Sequence, residues 1–232
     1  MDPQVDALRG FDSCLLSDAL ESIGAFGAVA GISPVWPCGR IVGRAVTVRL
    51  RRLEPGEEPV PGPHLGARAI QASAPGDVIV VAHGGRSDSA GWGGLLSAAA
   101  AAAGVSGVVV DGACRDVDDA HALGFPVYAR SATPVTARGR TVEADTGSPV
   151  QIGPLTVHPG DVVVADASGV VVVPRGRVDE VVTRADALAH REAQLLAALR
   201  RGVPPAQVLD GNYDTMLRPV GGEPVAAQDR RS

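Results

Sequence analysis

Two stretches of the chain share one pattern, a Pro-Gly-Asp turn that leads directly into a run of aliphatic residues. Residues 75–77 precede Val-Ile-Val-Val at 78–81, and residues 159–161 precede Val-Val-Val at 162–164. Short apolar runs bounded by turn residues are typical of strands buried on both faces. The pair predicts two similar corners of one sheet system; the alternative is that Pro-Gly-Asp is simply a favourable turn sequence.

Helical segments alternate with such strands. Residues 13–23 and 178–201 carry apolar side chains at helical spacing, and residues 95–103 are mostly leucine and alanine, which favour helix. Further strands are predicted at 40–50, 105–110, 125–129 and 170–173, and short helices at 65–72 and 117–123. Residues 54–63, rich in Pro, Gly and Glu, are predicted to form an exposed loop. This alternation predicts an α/β fold.

The composition bounds the core and the domain organisation. Hydrophobic residues make up 45% of the chain and aromatic ones only 3%, so the core has to consist of Val, Leu, Ile and Ala, as in a sheet covered by helices. The length of 232 residues suits one large domain. We expect that domain over residues 1–202, followed by a Pro-rich, partly disordered extension over residues 203–232.

Charge, hydropathy and cysteine content exclude several classes of protein. The formal net charge is −5 and no long basic run occurs, which argues against nucleic-acid and membrane partners. The longest apolar run, residues 95–110, is interrupted by Gly104 and Gly107, so it does not predict a membrane span. The three cysteines are irregularly spaced, and residues 1–10 lack the apolar segment of a secretory signal. We therefore expect a cytoplasmic protein with reduced thiols.

Most of the sequence features that indicate a binding site lie within residues 87–119. Gly91, Gly93 and Gly94 predict a glycine-rich loop that a ligand can approach closely, and a helix is predicted to begin at about Leu95. The free N–H groups and the positive end of that helix favour a carboxylate or phosphate. Glycine-rich stretches also serve as plain turns, which is the alternative interpretation.

The pair Arg115-Asp116 is a second feature that indicates a binding site. It follows a strand that we expect to end at Asp111. The carboxyl ends of strands in α/β sheets are common binding edges, and Arg115 beside the helix start could hold a carboxylate by a charged fork. In the structural alternatives, Asp116 only caps the helix that starts at Val117, and Arg115 pairs with Asp111.

Three further features bear on the site. Glu192 lies on the apolar stripe of the 178–201 helix, which suggests either an interface salt bridge or a site at a subunit seam. His83, His121 and His158 are isolated and predict no histidine metal site. Cys114 beside Arg115 could be slightly activated but has no histidine partner in the motif.

Several segments together resemble the RraA-like family, which includes class II 4-hydroxy-4-methyl-2-oxoglutarate aldolases and the regulator of ribonuclease E activity A. The main ones are Gly-Trp-Gly-Gly-Leu-Leu at 91–96, Gly-Val-Val-Val-Asp-Gly-Ala-Cys-Arg-Asp-Val-Asp at 107–118 and Leu-Gly-Phe-Pro-Val at 123–127. Residues 17–20, 43–48, both Pro-Gly-Asp turns and 166–174 also fit, so the resemblance covers roughly residues 13–201.

The resemblance implies an α/β/α sandwich related to swivelling phosphohistidine domains, assembled as a homotrimer or hexamer. It implies that Asp116 binds Mg²⁺ or Mn²⁺, largely through waters, and that Arg115 holds a small oxo-acid and stabilises the pyruvate enolate. The backbone amides of Leu95 and Leu96, with Gly93 and Gly94 before them, would bind the carboxylate of the substrate. Glu192 of a neighbouring subunit would assist proton transfer.

The chain departs from the aldolase pattern at one position. That pattern has an acid 21 residues before the arginine, where this chain has Gly94, and a glycine where it has Ala90. Asp88 lies nearby in the sequence as a candidate substitute. The regulator branch also lacks the acid after the arginine, whereas Asp116 is retained here. Many members carry a demethylmenaquinone methyltransferase label, but no methyl-donor site is recognisable in this sequence.

The first hypothesis is therefore a divalent-metal lyase that releases pyruvate by retro-aldol cleavage, decarboxylates oxaloacetate, or does both. The second is a non-catalytic regulator that binds a protein partner. The third is a pathway enzyme recruited to another carbonyl or acyl substrate, with a pocket widened at Gly94. Retention of Asp116 favours an enzyme.

Overall fold

The computed structural model describes residues 2–58 and 62–209. Its strands are β1 (Ala28–Val29), β2 (Ser33–Pro34), β3 (Ile41–Arg52), β4 (Val78–Trp92), β5 (Gly107–Cys114), β6 (Val127–Ala132), β7 (Thr141–Thr146), β8 (Val150–Ile152), β9 (Leu155–Val157), β10 (Val162–Asp166) and β11 (Gly169–Val173). Its α-helices are α1 (Pro3–Leu8), α2 (Ser13–Ser22), α3 (Ala67–Ala72), α4 (Gly94–Ala102), α5 (Val117–Ala122), α6 (Val178–Arg200) and α7 (Pro205–Val208).

A mixed sheet forms the centre of the fold. Its strand order is β1-β11-β10-β3-β4-β5-β6-β2, with β7 paired to the second half of β3. Strands β3 to β6 run parallel, and the connections from β4 to β5 and from β5 to β6 contain α4 and α5. The remaining pairings in this sheet are antiparallel. The carboxyl ends of β4 and β5 therefore lie side by side, next to the starts of α4 and α5.

The sheet is strongly curled. The Tyr128 hydroxyl on β6 donates a hydrogen bond of 3.1 Å to the carbonyl oxygen of Ala165 on β10, although three strands separate β6 from β10 in the sheet. Neighbouring strands lie about 4.8 Å apart, so a flat sheet would hold these two strands about 19 Å apart. The hydrogen bond requires the two sides of the sheet to turn toward each other.

The alternation of side chains shows which face carries the helices. On β10, Val162 and Val164 pack with α1, α2 and α6, whereas Val163 and Ala165 belong to a second cluster with the β8–β9 hairpin. On β4, Ile79 and Val81 likewise face α3, α4 and α5. Strand β3 pairs with both β10 and β4, and its register aligns these side chains. The group α1, α2 and α6 and the group α3, α4 and α5 therefore lie on the same face of the sheet.

The mixed α/β class expected from the sequence is confirmed, but the layers differ from the expected three-layer sandwich. Both helical groups cover one face of the curled sheet, and the β8–β9 hairpin covers the other. The relation to swivelling phosphohistidine domains stays a prediction.

Most predicted elements are present, and two boundaries near the site were wrong. The glycine-rich stretch before Leu95 is not a loop, because β4 continues to Trp92. Likewise β5 does not end at Asp111 but at Cys114. Both strands run on because they stay paired, Ala90 opposite Ala113 and Trp92 opposite Cys114, after register shifts that absorb the irregular segment between them.

The C-terminal part of the described chain packs onto the long helix. Val208 in α7 is buried, and α7 contacts α6, so the start of the predicted extension is ordered against the domain. The segment 221–232, predicted to be poorly ordered, lies outside the described residues. Within the described residues, no helix is both long and apolar enough to span a membrane.

Candidate functional site

One cavity of about 220 Å³ gathers most of the residues that the sequence singled out. It lies where β4 and β5 end, between the first turn of α4 and the loop that follows β6. The predicted residues that line it are Gly93, Gly94, Leu95, Leu96, Arg115 and Asp116. The structure therefore brings together all predicted site residues except Glu192.

Asp116 connects α4 and α5: it directly precedes α5, and its side chain binds the first residue of α4. Its backbone has φ of 57°, and it is the only non-glycine residue with positive φ in the described parts of the chain. Such backbone is uncommon outside glycine and is tolerated best by Asp and Asn. The carboxylate makes no capping bond to its own helix and instead accepts the N–H of Gly94 at 2.9 Å. The structural alternative, that Asp116 only caps α5, is therefore wrong, because its side chain binds the first residue of α4 instead.

The Asp116 carboxylate is held in its ionised form. Burial raises its pKa, but the hydrogen bonds from the Gly94 N–H and the Arg115 side chain outweigh that effect, and the net pKa is below the ordinary value. A carboxylate at the start of α4 is also favoured by the helix dipole.

Only one of the three guanidinium nitrogens of Arg115, Nε, is hydrogen-bonded within the described residues. Its Nε donates to both carboxylate oxygens of Asp116, at 3.0 and 3.1 Å. Its two terminal nitrogens have no hydrogen-bond partner among the described residues, and Arg115 is one of the residues that line the cavity. The alternative pairing with Asp111 is wrong, because Asp111 is buried and bonded by Arg130 at 2.5 Å. A planar pair of donors is thus left for an anion.

The first turn of α4 adds backbone donors to the same wall. The N–H groups of Leu95 and Leu96 have no backbone acceptor within the described residues, as is normal for the first turn of a helix. Such groups form a ready anion site. The Leu95 side chain is 90% exposed, so the rim of the cavity carries an uncovered apolar group.

Position 94 is crowded by a second acid. Gly94 is not among the positive-φ glycines, and a Cβ built on it would lie 2.8 Å from Oδ2 of Asp119. Asp119, one helical turn beyond Asp116, therefore occupies the space beside Gly94. Asp88 is not a substitute for the missing acid, because Arg52 and Arg86 bind its carboxylate and it does not line the cavity.

Glu192 lies elsewhere in the chain. It is exposed on α6 and does not line the cavity. Its charge acts on Asp18 in α2. The pKa of Asp18 is raised first by burial and then by the neighbouring negative charges of Glu21, Glu192 and Asp12. One chain alone therefore does not bring Glu192 to Arg115.

The thiol beside Arg115 is not activated. Cys114 is buried, and burial raises its pKa to about 11. The expected slight activation was therefore wrong, because the side chain points into the core cluster under α4 rather than into the cavity. A buried neutral thiol is inert toward electrophiles.

Sequence reasoning missed the far wall of the cavity. His64 and Leu65 from the segment before α3, and Thr136, Ala137 and Arg138 from the loop after β6, complete the lining. These residues are distant in sequence from the 87–119 segment and follow no motif. Only the topology, which places both loops over the carboxyl ends of β4 and β5, brings them together.

The donors at the site suit one kind of metal ion. In the described chain, no group of three or more His, Cys, Asp or Glu side chains could hold a metal. Asp116 lines the cavity and offers carboxylate oxygens only, whereas Asp119, beside Gly94, is not part of the lining. This set fits Mg²⁺ or Mn²⁺ with most of its water retained, and it does not fit a tetrahedral zinc site.

Comparison with known proteins decides the family. Residues 13–172 match the family model described as RraA-like: Aldolase/RraA. The chain belongs to the RraA-like family. A putative 4-hydroxy-4-methyl-2-oxoglutarate aldolase from Halalkalibacterium halodurans is 32% identical over 78% of this chain and 81% of its own length.

Two further relatives show the breadth of this RraA-like group. Protein DlpA of Legionella pneumophila is 31% identical over 82% of this chain, and the chain spans only 31% of the length of DlpA. The crystal structure of Streptomyces coelicolor RraAS2, described as an unusual member of the RNase ES inhibitor RraA protein family, is 26% identical. It aligns with a TM-score of 0.74 over 85% of this chain and 96% of that one.

Proposed function

We propose that this RraA-like protein is a divalent-metal-dependent lyase that releases pyruvate from a small oxo-acid. The observation that carries the proposal is the arrangement of Arg115 and Asp116 at the start of α4. An ionised carboxylate, a guanidinium with two unpartnered terminal nitrogens and two unpartnered backbone N–H groups converge on one small cavity within the described chain. Several relatives named as putative aldolases support the same reaction class.

The protein residues would bind and orient the 2-oxo-acid end of the substrate. Its carboxylate would accept the N–H groups of Leu95 and Leu96, which project beyond Gly93 and Gly94. The terminal nitrogens of Arg115 would lie against the 2-oxo oxygen, where negative charge develops. Fixed donors placed where charge develops are the usual largest contribution to such a rate enhancement.

Asp116 would hold Mg²⁺ or Mn²⁺, which supplies Lewis-acid polarisation of the oxo-acid when bound. The three hydrogen bonds that Asp116 accepts leave one lone-pair position on its carboxylate for a cation. Asp119 lies beside Gly94 but outside the lining of the cavity, so Asp116 would be the protein ligand of the cation.

Both candidate reactions lead to the same enolate. In the retro-aldol reaction the C4 hydroxyl loses a proton, the C3–C4 bond breaks, and its electron pair passes to the enolate of pyruvate. In oxaloacetate decarboxylation the same bond releases CO₂. A proton added at C3 then gives pyruvate. Arg115 would stabilise the enolate oxygen in both cases.

The proton donor or acceptor would come from another subunit. We propose a homotrimer or hexamer in which Glu192 of a neighbouring copy approaches this cavity. This proposal rests on the resemblance to the RraA-like family and on the distance of Glu192 from the cavity within one chain.

The second candidate function is that of a non-catalytic regulator binding a protein partner. The likeness to RraAS2 favours it, and the glycine at position 94 is consistent with weakened chemistry. Asp116 argues for the enzyme, since a binding-only protein has no evident need for a strained acidic residue that caps α4 from inside the cavity.

A pyruvate-release assay tests the proposal. Purified protein would be supplied with Mg²⁺ or Mn²⁺ and with oxaloacetate or 4-hydroxy-4-methyl-2-oxoglutarate, and pyruvate would be measured by a coupled reduction. We expect release above the metal-only background, and loss of that release in Asp116→Asn. Equal rates for protein and metal alone, on both substrates, would leave the regulator as the better assignment.

A further inference from the structure

Strand β4 contains more residues than β5 along the stretch where the two approach the cavity. Val81 pairs with Val110 and Trp92 pairs with Cys114, so residues 82–91 of β4 lie beside residues 111–113 of β5. The surplus bulges out of the pairing as a segment that we call the β4 arm (residues 82–91). Its two ends are buried, and its middle, which begins with Gly84 and Gly85 at positive φ, reaches solvent.

The β4 arm is connected to two walls of the cavity. Ala90, near its end, lines the cavity, and the N–H of Ala90 donates to the carbonyl oxygen of Val135 at 3.0 Å. Val135 directly precedes Thr136, the first residue of the loop after β6 that belongs to the lining. A movement at the base of the arm therefore reaches both the β4 wall and the wall formed by this loop.

His83 closes the base of the β4 arm. Its side chain is buried, and Nε2 lies 2.8 Å from the carbonyl oxygen of Ser89 on the other side of the arm. The ring fills space that two glycines leave free: a Cβ on Gly112 would lie 2.6 Å from Cδ2 of His83, and one on Gly91 would lie 3.1 Å from Cγ. This close packing holds the imidazole in one position.

The other ring nitrogen of His83, Nδ1, is buried without a hydrogen-bond partner among the described residues. Because a carbonyl oxygen can only accept, Nε2 carries the proton of the neutral ring and Nδ1 carries none. A second proton would sit on Nδ1, where no acceptor meets it. A buried polar group without a partner is rare in proteins and costly. The closed arm therefore accommodates only the neutral ring.

The charged groups around His83 do not offset this cost. On the arm itself Arg86 disfavours a second positive charge and Asp88 favours it, and from β5 Asp111 also favours it. Both acids are already paired, Asp88 with Arg86 and Asp111 with Arg130. Burial has the largest effect, and the pKa of His83 lies below its ordinary value.

We propose that His83 is a pH-sensitive switch that keeps the β4 arm closed while its ring is neutral and releases the arm in acid. In the open arm the ring meets water and takes up a proton at its ordinary pKa, whereas in the closed arm it stays neutral to lower pH. The contribution of His83 to the closed arm is therefore fully present above the ordinary pKa of histidine. It is lost as the pH falls from there toward the lowered value. This inference does not depend on the proposed lyase activity.

Hydrogen exchange followed by mass spectrometry measures the opening directly. Exchange of the β4 arm would be compared at about pH 7.5 and about pH 5.5, on either side of the ordinary pKa of histidine, after correction for the intrinsic exchange rate. In the wild-type protein, protection of the arm should fall in acid, at a rate that approaches about tenfold per pH unit, the limit for one proton. Strand β10, on the other side of β3, should keep its protection, because the opening is local.

His83→Gln tests the origin of this pH dependence. Glutamine retains an N–H donor for the carbonyl oxygen of Ser89 but cannot gain a proton, so protection of the arm should be equal at both pH values. His121→Gln is the matched control, because His121 is exposed on α5 and stacks on Trp36 with ring centroids 4.7 Å apart. This control should keep the wild-type pH dependence.

Three results would overturn the proposal: no pH dependence in the wild-type arm, the same pH dependence in His83→Gln, or loss of protection in β10 together with the arm. If His83→Gln does not fold, nitrogen NMR of the wild-type ring decides. A neutral ring with its proton on Nε2, persisting below the ordinary pKa of histidine, supports the switch. A ring of His83 that titrates at the ordinary pKa refutes it.

Discussion

Asp119 and Gly94 share one space at the start of α4. A Cβ on residue 94 would lie 2.8 Å from Oδ2 of Asp119, which is closer than such atoms pack, and 3.3 Å from its Cβ, which is a tight contact. Position 94 carries no carboxylate, and Oδ2 of Asp119 on the neighbouring helix lies where a side chain at position 94 would begin. The two positions are therefore coupled, and a substitution at one has to be judged with the other.

Gly94→Asp is the first prediction. The backbone at position 94 is not left-handed, so the new side chain costs no glycine-specific strain. The nearest obstacle, Oδ2 of Asp119, is the end of a side chain that can turn away, whereas Cβ of Asp116 at 3.1 Å and Cβ of Asp119 at 3.3 Å have to shift by a few tenths of an ångström. We expect tighter Mn²⁺ binding, measured by titration of its paramagnetic resonance signal, with a small fall in Tm. Oxaloacetate decarboxylation should rise, because residues that orient metal-bound water commonly matter about 10–100-fold.

The double variant Gly94→Asp/Asp119→Ala separates the two contributions. Removing Asp119 relieves the repulsion between the carboxylates, so the double variant should regain Tm relative to Gly94→Asp. Asp118→Ala, on the neighbouring position of α5, serves as the control and should not do so. A large loss of Tm in Gly94→Asp with no gain in metal affinity would show that glycine is required at position 94 and that the chemistry differs from that of the aldolases.

The pairing of Arg115 with Asp116 was predictable because it is local. The two are adjacent in sequence and directly follow a strand, and α4 is recognisable from its leucine and alanine content. By contrast, the positions of Asp119 beside Gly94 and of Arg138 in the lining of the cavity depend on how α5 and the loop after β6 pack. Those contacts arise from the curl of the sheet and from the continuation of β4 to Trp92, and no local pattern encodes either.

Metal removal gives the second prediction. Asp116 and waters make a weak site for a hard cation, so millimolar EDTA should abolish pyruvate release, and added Mg²⁺ or Mn²⁺ should restore it. The cavity offers no nitrogen or thiolate set for zinc among the described residues, so Zn²⁺ should not restore full activity. If pyruvate release were undiminished in EDTA, the reaction would not require a metal ion.

Arg115→Lys is the third prediction. Lysine keeps the charge but cannot bind Asp116 through Nε and also present two coplanar donors to the substrate. We expect kcat to fall about 10²-fold, the scale seen when a charge-stabilising donor is removed. Tm should change little, since the side chain is 38% exposed. Near-normal turnover in this variant would restrict Arg115 to a structural role.

The thiols provide a prediction that is independent of the reaction. Burial raises the pKa of Cys114 to about 11, whereas Cys14 is exposed. Iodoacetamide at pH 8 should therefore modify Cys14 in the native protein and spare Cys114 until the protein unfolds, as peptide mass spectrometry would show. Folding raises the pKa of Cys114, so its neutral thiol contributes stability that is fully present at any pH below the ordinary pKa of a cysteine. That contribution is lost as the pH rises from there toward 11. Rapid native labelling of Cys114 would contradict the burial.

The last prediction concerns the assembly. Within one chain Glu192 is remote from the cavity, so any role in proton transfer requires a neighbouring subunit. Light scattering should give a trimer or hexamer, and Arg115→Ala and Glu192→Gln should each be inactive. Mixing the two variants under conditions of subunit exchange should recover part of the activity, because some sites then combine an intact Arg115 with an intact Glu192. Gln194→Ala, at a neighbouring exposed position of α6, is the matched control and should stay fully active on its own. An active monomer, or mixed variants that stay inactive after proven exchange, would confine the site to a single chain and exclude Glu192 from it.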